Sequence, residues 1–119
     1  MPKFLLMLNE KPDTFLDLAP EEMQKIVMQY SAWADKMVSL GHYESGQKLK
    51  DEGGRLLRRE KGKLVVTDGP FSETKEVVGG FHIIEAESYA KAAELCADHP
   101  GLVHGTSIHV REIDPLEGH

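Results

Sequence analysis

The sequence predicts an α+β domain in which two helices cover one face of an antiparallel sheet. Three observations carry that expectation: short runs of strand-forming residues, two stretches with apolar residues at helical spacing, and Gly- and Pro-rich punctuation between them. At 119 residues, positions 1–119 have room for one domain and one core. Hydrophobic residues make up 40% and charged residues 29%, a globular mixture that excludes a disordered chain.

Lys3 to Asn9 reads as the first strand, with Phe4, Leu6 and Leu8 on one face and Leu5 and Met7 on the other. Both faces are apolar, so both need a cover. Lys11 to Leu18 reads as a loop. Pro20 suits a first helical position, where its missing N–H is not needed, and Glu21 and Glu22 complement the positive end of the helix dipole. Met23, Ile26, Val27, Tyr30, Ala34, Met37 and Val38 then form one helical face, with Trp33 at its edge. Gly41 is the expected stop. His42 to Leu49 reads as a strand. Arg55–Arg59 and Lys63–Thr67 form a hairpin around Glu60-Lys61-Gly62. Asp68-Gly69-Pro70 is a turn. Lys75 to Glu85 holds the next strand, and Gly79-Gly80 marks a bulge or a close backbone approach. Ser88 caps a second helix whose buried face is Tyr89, Ala92, Ala93 and Cys96, and Pro100 ends it. Ser107 to Ile113 is the last strand. The order is that of a ferredoxin-like βαββαβ unit with an extra hairpin. The sheet face away from the helices stays open, so a second copy is expected to close it into a dimeric α/β barrel.

Composition narrows the partners. The net charge of −6 argues against nucleic acid, whose binding needs clustered Lys and Arg. The one basic cluster, Arg55, Arg58, Arg59, Lys61 and Lys63, reads as a solvated hairpin tip. Phe4–Leu8 is the longest apolar run, far too short to span a bilayer, so no membrane is expected as a partner. No signal-peptide pattern follows Met1. The single cysteine, Cys96, fits a reducing compartment, and a cytoplasmic location is expected.

Asp68-Gly69-Pro70-Phe71-Ser72-Glu73-Thr74-Lys75-Glu76, followed by Gly79-Gly80-Phe81, resembles the signature of the DGPF branch of the YCII-related family. Trp33, Gly41, Gln47-Lys48-Leu49, Glu85, Ser88, His99-Pro100, Gly105 and Arg111 fit its pattern too. The resemblance implies a dimeric α/β barrel with a pocket between the sheet and the first helix or near the dimer interface. It also implies three functional settings. Most DGPF-type proteins are of unknown function, and many are associated with genes for extracytoplasmic-function sigma factors. Some YCII-related proteins are enzymes on small ring compounds, including a dehydrochlorinase of a chlorinated hydroxyhydroquinone. The wider fold includes muconolactone isomerases. YCII proteins tend to carry a His in the first helix and an Asp-Pro after the second. Here Tyr30 stands at the first place and His99-Pro100 at the second, with Asp98 one residue early. That departs from a His/Asp mechanism and leaves Tyr30 and His99 as a pair able to exchange a proton.

The remaining candidates carry two readings each. Asp68 either caps its own Asp-Gly turn or serves as a pocket carboxylate. Lys75, in the charged Glu73–Glu76 stretch, is either solvated or a point charge for a carboxylate or phosphate. His82 shares a strand face with Ile84, and His109 shares one with Arg111. If these faces line the barrel, His82, His109 and His99 are the acid–base candidates and Arg111 the anchor of an anionic substrate. Otherwise they are hydrogen-bonded barrel or interface residues. Tyr30 and Trp33 are either core or the wall of a small-ligand pocket. His99, His104 and His109 lack the i, i+4 spacing of a helical zinc motif, so no metal and no cofactor are expected. Two functions stay open: a small-molecule site on an anionic or aromatic compound, and a non-catalytic module that binds a sigma factor.

Overall fold

Alternation along Lys3–Glu10 (β1) sets the layers, because Phe4, Leu6 and Leu8 are buried while Leu5 and Met7 are half-buried. A computed structural model describes residues 1–11, 17–50, 52–69 and 76–116. After β1 come Pro20–Ser39 (α1), Tyr43–Lys48 (β2), Arg55–Glu60 (β3), Lys63–Asp68 (β4), Val77–Glu85 (β5), Tyr89–Cys96 (α2), Pro100–Val103 (α3) and Ser107–Glu112 (β6). The main sheet runs β2-β5-β1-β6, and each neighbouring pair is antiparallel. This is the strand order of a ferredoxin-like unit, with β3 and β4 inserted as a separate two-stranded sheet.

Local chemistry explains the boundaries. Pro20 opens α1, and Gly41 closes it at φ 77°, with Gly41 N–H donating to Val38 O and His42 N–H to Met37 O. The Ser88 hydroxyl accepts from Lys91 N–H at the start of α2. Lys61 and Gly62 both take positive φ, the geometry that lets a two-residue turn follow the twist of β3 and β4. The pairing of β1 with β5 steps from Leu8↔Gly80 to Asn9↔Val78, so Gly79 is the bulged residue.

One core lies between the sheet and the helices. Phe4, Leu6 and Ile84 pack against Trp33 and Met37 of α1 and Ala92, Leu95 and Cys96 of α2. Three expectations are corrected here. Trp33 is at the centre of the α1 face and not at its edge. Ile26, Trp33 and Met37 are buried, whereas Val27 and Val38 are more than half exposed. In α2 the buried set is Ala92, Leu95 and Cys96, and Ala93 faces out. Pro100 does not end α2, which stops at Cys96; it begins α3 at the first helical position. Among the described residues, no helix is long and apolar enough to cross a membrane. The signature motif falls largely on residues 70–75, which lie outside the described residues.

Candidate functional site

Four polar rings and one indole converge on the helix side of the sheet. His82 pairs in register with Leu6 of β1 and Gly46 of β2, which places it on the covered face. Tyr43 enters the same face one strand over. Its hydroxyl lies 2.9 Å from His82 Nδ1. Gly46 makes room for this contact. A Cβ at that position would stand 2.2 Å from the Tyr43 oxygen and 2.6 Å from His82 Nδ1. On the far side, His82 Nε2 is 3.4 Å from His99 Nε2. His99 is the N-cap residue of α3, and its Nδ1 accepts from Gly101 N–H at 2.9 Å. Tyr43, His82, His99 and the Gly101 amide therefore form one continuous hydrogen-bonded run.

Trp33 packs this run in place. Its ring centroid is 4.6 Å from His99 and 5.1 Å from His82, and its indole N–H donates to Leu95 O. Tyr30, one turn earlier on α1, meets His99 edge-on at 5.1 Å. Tyr30 and His99 are thus in ring contact, and both imidazole nitrogens of His99 are engaged with Gly101 and His82. The Thr106 side-chain oxygen is buried beside Tyr30, and among the described residues it has no partner in good hydrogen-bond geometry.

Burial controls the ionisation of the cluster. His99 is fully buried and His82 partly so. Desolvation pushes both imidazoles down to about 4, and for His99 the neighbouring His82 adds to the effect. Desolvation raises Tyr30 and Tyr43, so both phenols keep their protons at neutral pH. The cluster is uncharged near pH 7. Trp33 also borders an open groove of about 440 Å³ between α1 and α3, where Lys36 and Asp98 form an ion pair at the rim.

Of the residues singled out from sequence, His82, His99, Tyr30 and Trp33 come together. His109 and Arg111 do not join them. They pair in register with Met7 and Leu5, on the opposite sheet face, and both are exposed. The sheet itself separates them from His82, so one space shared by His82, His109 and Arg111 does not form within one chain. Asp68, at the end of β4, is exposed and lies 3.6 Å from Arg55. Lys75 lies outside the described residues. His104 Nε2 contacts Gln29 Oε1, away from His99, and no group of three metal-ligating side chains occurs among the described residues. Sequence reasoning missed Tyr43 and Thr106. The signal for Tyr43 was a single aromatic on an otherwise polar strand, three residues before a glycine.

The family model for the YCII-related domain matches residues 2–116. The chain belongs to the YCII-related family. It is also 33% identical over 79 residues to an uncharacterized protein of Rhizobium meliloti (strain 1021). That alignment spans 66% of this chain and 64% of the relative.

Proposed function

We propose that the helix-side cluster binds a small ring-bearing molecule. Trp33 and Tyr30 supply an aromatic wall, and Tyr43, His82 and His99 supply hydrogen-bonding groups. The observation that carries this reading is the linked run from Tyr43 through His82 to His99. Packing alone does not call for it, since apolar side chains would fill the same space without the cost of removing polar rings from water. Buried titratable groups with displaced pKa values gather at functional sites more often than elsewhere. Membership of the family sets the fold and leaves the reaction open. The Asp68–Glu76 motif supports placing the chain in the DGPF branch.

A melting-temperature screen tests the site, with hydroxylated aromatic rings, lactones and aromatic acids as probes. A compound that binds the folded state raises the melting temperature by mass action. A saturable rise is expected for wild type, with affinity at least about tenfold weaker in Tyr43→Phe and in His82→Gln, the loss of roughly one hydrogen bond. Equal affinity in both variants would place the ligand elsewhere.

The same proposal includes a homodimer. Leu5, Met7, Phe81 and Ile83 share the sheet face away from the helices, and each is partly exposed. A second copy on this face would remove these apolar groups from water and close the two sheets into a barrel. His109 and Arg111, on the same face, would then line the space between copies.

A further inference from the structure

We infer that the hydrogen-bonded run has a fixed direction, which makes the Tyr43 hydroxyl a donor to an uncharged carbonyl oxygen of the ligand. This inference rests on the small-molecule reading above and goes beyond it by assigning every proton in the run.

The direction starts at a group that cannot change. Gly101 N–H is a backbone amide and always donates, so His99 Nδ1 must be a bare nitrogen. Neutral His99 therefore carries its hydrogen on Nε2. That nitrogen faces His82 Nε2, and the hydrogen between them belongs to His99. His82 Nε2 is thus the acceptor, and neutral His82 carries its hydrogen on Nδ1. His82 Nδ1–H in turn donates to the Tyr43 oxygen. Tyr43's own hydrogen points elsewhere, and among the described residues nothing accepts it.

Each bond in such a chain polarises the next, so the phenol at its end is a stronger hydrogen-bond donor than an isolated one. Neither imidazole can take a further proton without breaking a bond in the run. The cluster therefore acts as a directed donor and not as a base. His82 and His99 are positioning residues, and Tyr43 is the group that meets the ligand. The ligand must present an acceptor. An uncharged carbonyl suits three uncharged partners better than a carboxylate, whose burial calls for a cation. Lys36, on the same helix as Trp33, is already paired with Asp98.

Two measurements test this. Nitrogen-15 NMR of the histidine rings reads the tautomers in the free protein. The Nδ1–H form is expected for His82 and the Nε2–H form for His99. The opposite form at either residue, or a charged ring near neutral pH, overturns the direction. The second measurement titrates acetophenone and its carbonyl-free counterpart ethylbenzene, reading the His82 ring signals. Acetophenone is expected to shift them in wild type and to bind about tenfold more weakly to Tyr43→Phe, with ethylbenzene weaker than acetophenone by a similar factor. Equal binding of the two probes, or of acetophenone to both proteins, overturns the donor role of Tyr43. Correct tautomers with no binding of either probe would overturn the carbonyl assignment, while the broader screen above decides separately whether the cluster is a ligand site.

Discussion

His82 and His99 tie the site to stability. Their pKa values near 4 in the folded protein compare with about 6.5 in an unfolded chain. Between those values the unfolded chain binds more protons than the folded one. Stability is therefore complete above about pH 6.5 and falls as the pH drops toward 4. The slope is on the order of 1.4 kcal/mol per pH unit for each imidazole. Urea unfolding at about pH 7.5 and pH 5 should show this loss, and His99→Gln should reduce it; equal stability at both pH values would mean that water already reaches the rings. Cys96 is the opposite kind of buried group. Burial pushes its thiol up to about 11, which makes it an inert core residue. Both histidines were visible in the sequence as residues capable of acid–base work. Their partners were not, because Tyr43 and Gly46 lie some 40 residues from His82 and 55 from His99, and only strand pairing brings them within reach.

The elements differ in how much of their structure is supported by neighbours. β1 and β5 are central in the sheet, and β1 is bonded on both sides. β3 and β4 pair with each other alone in a second sheet. Leu57, Leu64 and Val66 share one face of that hairpin, and each is more than half exposed. A two-stranded hairpin with no packed face is marginal in water. Amide hydrogen exchange should therefore be protected to the global limit in β1 and β5, and faster by at least about tenfold in β3 and β4. Uniform protection would show that the hairpin is covered in solution. The hairpin itself was legible, since Lys61-Gly62 between two strand-like runs is a local signal. The rotation of α1 was less so. Its apolar residues are broad enough for two faces, and contact with the sheet selects the one centred on Trp33.

The whole chain is extended for its length. Its Cα radius of gyration is 16.6 Å, against about 13.5 Å for a typical compact domain of this size. The uncovered sheet face and the exposed apolar hairpin are both surfaces that a second copy could bury. Sedimentation or light scattering should give a dimer mass in the micromolar range, and Met7→Lys, a charge at the centre of the sheet face, should shift it toward monomer. A wild-type monomer at these concentrations would remove the barrel from the reading. A Met7→Lys dimer as stable as wild type would move the interface to the hairpin.

Periodicity, capping residues and turn residues act within a few positions of themselves. They were sufficient for the order of the strands and the two longer helices, the stop of α1 at Gly41, the start of α2 at Ser88, and the resemblance to the family. The site depended on distances that no local rule contains. The sheet divides its two faces, and alternation alone does not say which face the helices cover. Once α1 and α2 take the face of Phe4, Leu6 and Ile84, His82 is sealed against Trp33 and His99 while His109 and Arg111 are left outside. The burial that displaces the two imidazoles, and the amide that orients them, exist only because α3 brings His99 and Gly101 back over the sheet.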